Sequence, residues 1–234
     1  MSVPPSAPVP SGGTEPSDEV ATTRGGRAVR WTAFVVGAAS LGLGVALSVA
    51  SGRGLGPWQA LETGLVARTG LSFGTVVLLE SVLAVAIAWA FLRTRPGPAT
   101  LVIAVTLGPA IDRVLPLLPT PQDLLLANLQ LLVGTLLFGA GIAVYLAADL
   151  GPSAQDALFV GVTRRFGWSV GRARLAVDAA LAVTGALLGG QVGLGTVLVV
   201  LLVPPVVATV LPRAQAVVSD RPGRTQGTRG GRGG

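Results

Sequence analysis

Apolar residues in this chain come in long blocks, not at alternating or single-faced spacing. Six blocks stand out, roughly 31–50, 73–92, 98–118, 125–148, 173–190 and 192–212. A helix of about 20 residues at ~1.5 Å rise crosses the ~30 Å of a bilayer's hydrocarbon. The breaks carry charge, Gly or Pro: Gly52 to Pro57, Arg93 to Pro98, Pro119 to Asp123, Asp149 to Arg172, and Gly189 to Gly193. In lipid a backbone must satisfy its own hydrogen bonds, and unbroken apolar segments do so as helices. The pattern predicts an all-α, polytopic membrane helix bundle. The last two blocks, divided only by a Gly-rich turn, predict a helical hairpin. A cleaved signal peptide fits the first block poorly, because a polar leader of 30 residues precedes it and usual signal sequences have shorter apolar regions.

The flanks differ from the blocks. Residues 1–30 are rich in Pro, Ser, Thr and Gly, and residues 214–234 end in TRGGRGG. Neither can bury enough apolar surface to offset the entropy of ordering, so both are expected to be disordered tails. The six-span membrane domain is expected over 31–213.

Composition narrows the chemistry. Charged residues make up 12% of the chain, about half the ~25% usual for soluble domains. All 17 basic residues are Arg, with no Lys, His or Cys. That removes disulfides, Cys/His zinc sites, Ser-His and Cys-His nucleophile pairs, Schiff-base lysine and the P-loop lysine. The expectation is a protein that is not an enzyme and carries no cofactor or metal. An intramembrane enzyme would have to work with Asp, Glu, Ser and Arg alone, and no paired acidic motif of that kind is visible.

Arginine also sets orientation. With six spans, 14 Arg fall on one side, in both tails and in the loops holding Arg93, Arg95, Arg164, Arg165, Arg172 and Arg174. Only Arg53, Arg68 and Arg113 fall on the other. Positive charge is retained in the cytoplasm, which predicts both termini inside. Trp31, Trp58, Trp89 and Trp168 all lie near predicted span ends, which fits an aromatic belt.

The two halves of the chain are alike. GLGPWQAL (54–61) recurs as DLGPSAQDAL (149–158). Setting residue n against n+97 from Ala60 to Gly74 gives seven identities in 15 positions, among them Arg68/Arg165, Gly70/Gly167 and Ser72/Ser169. Gly44 pairs with Gly139 at n+95, and Gly97/Gly193, Thr100/Thr196, Pro109/Pro205 and Pro116/Pro212 pair at n+96. Each copy, 31–121 and 125–213, holds three spans and one Gly-Pro connector. An odd number of spans forces the second copy to insert upside down, giving two inverted three-helix repeats.

These motifs resemble a known group. GLGPWQALETGLVARTGLSFGT (54–75) is similar to the signature of the YitT/YczE family of bacterial integral membrane proteins. DLGPSAQDAL, the following Arg pair and an Arg-rich helix entry extend the likeness across roughly 35–212. The resemblance implies a multi-pass protein of the bacterial cytoplasmic (inner) membrane. Where that family tends to carry Asp, this chain has Gln59; its repeat mate Asp156 keeps the acid. Arg174 and Asp178 look like the family's basic and acidic pair at the start of the fifth span.

Three features mark candidate sites. First are the connectors Gly56-Pro57 and Gly151-Pro152, each opening a short helix that ends at Gly70 or Gly167. Two placements stay open. The helix lies flat at the interface, with Trp58, Leu61 and Leu65 inward and Gln59, Glu62 and Thr63 outward; or it is re-entrant, with its positive N-terminus inside. Second, Pro109 and the Pro204-Pro205 pair interrupt the third span of each half, as at a midplane binding site. Third are acids within spans. Glu80 has no Arg within one turn and must face a cavity, be protonated or pair across helices. Asp178 has Arg174 one turn back and fits a local ion pair, while Asp112 and Arg113 sit near the outer end of their span and fit a pair or snorkelling.

The expected function is therefore a small secondary transporter or permease of an unknown small molecule or ion, working by alternating access. The alternative is a non-transporting accessory or scaffolding membrane protein. Membrane lipids are expected contacts. A protein partner or a homodimer is compatible with Gly185/Gly189 and with the small-residue pairs Ala38/Gly42 and Ser40/Gly44. The Arg/Gly tail points to topology and anionic lipid rather than to nucleic acid.

Overall fold

A computed structural model describes residues 16–54, 56–90, 97–151 and 154–219. All regular elements among them are helical: α1 (Pro16–Ser51), α2 (Pro57–Thr69), α3 (Phe73–Ala90), α4 (Pro98–Val114, extended by a 3-10 turn Leu115–Leu117), α5 (Leu124–Ala147), α6 (Ala154–Phe166), α7 (Val170–Leu187) and α8 (Leu194–Ser219). Five are long and apolar enough to cross a membrane: Gly26–Ser51, Phe73–Ala90, Pro98–Leu117, Leu124–Ala147 and Leu194–Val218. The sixth expected span corresponds to α7, of 18 residues, whose first half carries Arg172, Arg174 and Asp178. Helix α1 begins at Pro16 and α8 runs to Ser219, so helix reaches into both segments read as tails. Residues 1–15 and 220–234 lie outside the described residues.

The core is built on the antiparallel pair α1 and α5, which share the most extensive contact in the molecule. Glycine sets their spacing. A Cβ on Gly37 or Gly141 would run into the facing helix's backbone, at Tyr145 and Leu41 respectively, and one on Gly44 would lie 2.7 Å from the Gly134 carbonyl oxygen. Gly37 therefore meets Gly141, and Gly44 meets Gly134. Between the two crossings the Ser40 hydroxyl donates to the Leu137 carbonyl at 3.1 Å. Arginine clasps both ends of the pair. Arg30 bonds the Ala148 carbonyl (2.7 Å) and the Asp149 carboxylate (3.1 Å). At the other end Arg53 donates to Asn128 at 3.0 Å.

The other helices surround this pair. α4 packs on α1, and α8 on α5; α2 packs on α7, and α6 on α3; α2 also touches α3, as α6 touches α7. α3 runs along α4, where Gly74 and Gly108 bring the backbones together. The expected hairpin does not form: α7 and α8 share no substantial contact. Their connecting turn is stitched to α2 instead. The Gln191 N–H donates to the Thr63 hydroxyl at 3.0 Å, and Gly185 and Gly190 let the Ala60 backbone approach. Small residues permit that approach, so α2 takes the place against α7 that a hairpin would give to α8.

Candidate functional site

α2 starts at Pro57, where a missing N–H costs nothing, and stops at Gly70, whose left-handed φ of 71° closes the last turn onto Val66. The flat interfacial placement, one of the two left open by the sequence, would turn its polar side outward. Its polar side points inward: Gln59 and Glu62 are buried, Glu62 at 3% exposure, along with Pro57, Trp58, Ala60 and Gly64. The reason is steric. Gly64 lies against Leu188 and Gly185 of the α7 end, so the first part of the short helix is held among its neighbours, while Ala67, Arg68 and Thr69 at its end are exposed.

This burial brings Glu62 against Glu80 of α3, carboxyl to carboxyl. One oxygen of each, Oε2, is buried without a hydrogen-bond partner. Burial pushes the Glu62 carboxyl up from its ordinary value, and its hydrogen bond with Glu80 opposes part of that rise. Two carboxyls in one water-poor site share protons instead of ionising together. Glu80 was visible in the sequence as an acid with no local cation. Glu62 was not singled out, because its helical period placed it on an outward polar face. Gly64, two residues later, lies on the opposite side of the helix, against the end of α7, and so gives no sign of it.

A second cluster adjoins the first across α2. Asp178 of α7 takes an ion pair from Arg174 at 3.6 Å and a hydrogen bond from the Trp58 indole of α2. Trp58 packs edge-on against Phe159 of α6, with ring centroids 6.2 Å apart, and the Arg174 guanidinium lies 5.2 Å from the same Phe159 ring. Trp58 is therefore a buried anchor, not a belt residue, whereas Trp89 and Trp168 are exposed. Nearby in sequence on α6, the Thr163 hydroxyl is buried without a partner. Elements α2, α3, α6 and α7 thus place three acids, one Arg and two aromatic rings around the N-terminal half of α2.

The remaining candidates lie elsewhere. Asp112 accepts from the Ser72 hydroxyl (2.5 Å) and the Gly74 N–H (2.7 Å), so it caps the start of α3 and ties it to α4. Arg113 donates to the Pro109 carbonyl at 3.1 Å and does not pair with Asp112. Pro204 and Pro205 are exposed on the outer side of α8, and Pro109 is half-buried; among the described residues the prolines do not line a common site. Gly151, at φ 123°, lies against Gly97. Pro152 and the Asp156 side chain lie outside what is described. Asp112→Ala should lower stability by about 1–2 kcal/mol through the lost cap, read as a lower Tm in detergent, with Arg113→Ala near neutral.

No group of three or more His, Cys, Asp or Glu able to hold a metal occurs among the described residues. With two facing carboxyls and one ion-paired acid, the site can bind and release a proton, or hold a small polar group against Asp178 and Arg174.

A family of unknown function, DUF6198, matches residues 28–212. The chain is 37% identical over 158 residues to an uncharacterized protein of Haemophilus influenzae, covering 68% of this chain and 72% of that protein. It is 29% identical over 188 residues to the uncharacterized membrane protein YczE of Bacillus subtilis, covering 80% and 87%. It is 28% identical over 177 residues to the uncharacterized protein YyaS of the same organism, covering 74% and 88%. No solved structure matches. With its apolar helices, its Gly-Pro-initiated α2 and this coverage, the chain belongs to the DUF6198 family of YczE-like membrane proteins.

Proposed function

We propose that this multi-pass membrane protein is a small secondary transporter of the bacterial cytoplasmic membrane, with both termini inside. Six spans, α7 included, form two inverted three-helix repeats, and α2 and α6 are their re-entrant helices. The observation that carries the reading is the Glu62–Glu80 pair, buried between a re-entrant helix and a span. A buried carboxyl with no cation beside it in a membrane domain is retained at a cost of several kcal/mol, and proton or ion movement is its usual return.

The contacts support the repeat. If α1 to α4 correspond to α5 to α8, then α2 on α7 is mirrored by α6 on α3, and α1 on α4 by α5 on α8. Gly54 against Gly193 is mirrored by Gly151 against Gly97. The Thr100 hydroxyl accepts from the Gly97 N–H as the Thr196 hydroxyl accepts from the Gly193 N–H. The α1–α5 crossing maps onto itself. A pseudo-two-fold axis through Ser40 and Leu137 would generate all of these. Rocking one half about that axis would expose the acids to each side in turn.

Reporter fusions after residues 30, 121 and 214 test the topology. Cytoplasmic signals at both ends and an external one at 121 are expected, and ends on opposite sides would defeat it. Flux is tested with purified protein in proteoliposomes loaded with a pH-sensitive dye, across a screen of ions and metabolites. No movement of any solute would favour the accessory reading, for which the outward apolar face of α8 (Val197, Val200, Leu201) offers a surface.

A further inference from the structure

We infer that α7 and α8 form an inner gate, open in this structure, and that α3 and α4 form the matching outer gate, shut. The inference rests on the inverted repeat proposed above and adds which seam moves.

The repeat makes the two seams comparable position by position. At n+97 Gly74 matches Gly171 and Leu78 matches Leu175; at n+96 Gly108 matches Pro204 and Asp112 matches Ala208. In the first seam these residues meet. Gly74 and Gly108 are buried, and a Cβ on either would run into the carbonyl oxygen of the other. One on Gly108 would also lie 3.1 Å from the Leu78 nitrogen. In the second seam the mates stand apart. Nothing lies within 4 Å of a Cβ on Gly171, Leu175 is 72% exposed, and Pro204 and Ala208 are exposed. The larger packings of the two halves otherwise agree, α2 on α7 with α6 on α3, and α5 on α8 with α1 on α4. The break in symmetry is therefore local to one seam.

The residues supply a cause. Asp112 latches the outer seam from α4, accepting from the Ser72 hydroxyl at 2.5 Å and the Gly74 N–H at 2.7 Å. Ala208 offers no such acceptor, and Ser169, the mate of Ser72, accepts from the Arg172 N–H of its own helix. Movement is provided for in both halves. Pro204 and Pro205 have no N–H, which frees the Val200 and Leu201 carbonyls and lets α8 bend there, as Pro109 does in α4.

The gap leads to the candidate site. Asp178 lies seven residues past Gly171 and three past Leu175, on one stripe of α7, with 25% of its side chain exposed. It accepts from Trp58 of α2, the helix that also carries Glu62. With both termini inside, this gap faces the cytoplasm, so the resting protein is inward-open. Closed, α7 and α8 would be the hairpin that the Gly-rich turn predicts.

The chain has no Cys, so introduced thiols label cleanly. The full chain in lipid vesicles carries spin labels in two double variants. Leu71→Cys with Leu117→Cys spans the outer seam, and their mates Trp168→Cys with Arg213→Cys span the inner one; all four sites are exposed. Dipolar distance measurements should give a mainly short outer separation and a mainly long inner one. Asp112→Ala unlatches the outer seam, and Ala208→Asp gives the inner seam an acceptor for Ser169 and Gly171. Each should raise the inner short-to-long ratio about tenfold, and each reads the gate alone should the other fail to fold. Together they should make the short inner distance the main one and lengthen the outer. An inner distance that stays long in every background would mean a permanent gap. An inner seam that closes without the outer one opening would mean two uncoupled seams. Either result overturns the inference. A permanent gap with solute flux would remove the gate and keep the transporter, whereas coupled seams with no flux would keep the gate and remove transport.

Discussion

Glu80→Gln should slow solute-coupled proton movement into proteoliposomes at least tenfold while leaving the protein folded. Glutamine has the shape of a protonated glutamate and can still hydrogen-bond Glu62, but it cannot give up a proton. Glu62→Gln should do the same. The double variant should be no slower than either single one, because the two carboxyls face each other and share one titration. Stability should hold or rise slightly, since each change removes a buried ionisable group. Internal dye fluorescence gives the rate and a detergent melt gives the fold. Wild-type rates in Glu80→Gln would remove the acids from the transport path. Additive losses in the double variant would show two independent acids instead of a pair. Asp112→Asn provides the contrast, because Asp112 is engaged in capping α3.

Gly44→Leu should cost more than ~3 kcal/mol or prevent recovery of monodisperse protein. Its new side chain would begin 2.5 Å from the Phe138 backbone nitrogen and 2.7 Å from the Gly134 carbonyl oxygen. Both are backbone atoms of α5 and cannot swing aside like the end of a flexible side chain. Gly134→Leu meets the Gly44 carbonyl at 2.9 Å and should behave alike. The combined variant should lose less than the sum of the two, because the first change already separates α1 from α5. Gly171→Ala, where nothing lies within 4 Å, should be neutral or stabilise by up to ~1 kcal/mol. The readout is thermal unfolding followed by size-exclusion monodispersity. A Gly44→Leu protein as stable as wild type would mean that this crossing does not set the packing of the bundle.

The order of the helices was written in the residues. Blocks of about 20 apolar residues have one low-energy form in lipid, so the five spans shown by length and composition could be read directly. So could the short α2, bracketed by Pro57 and Gly70, since cap chemistry is local. What surrounds each helix could not be read. In a membrane protein, apolar residues face lipid and neighbouring helices alike, so hydrophobic period gives no inside or outside. The helical period of α2 therefore put Glu62 and Gln59 outward, and a Gly-rich turn suggested a hairpin of α7 with α8. Only the packed structure showed α2 against α7, because Gly64, Gly185 and Gly190 admit backbone contact that no periodicity reveals. That insertion brought together Glu62 and Glu80, distant in sequence and on different helices. The sequence by itself determined which segments are helical and which side chains can titrate. The tertiary structure decided which of those groups meet, because close approach depends on where small residues from separate helices coincide.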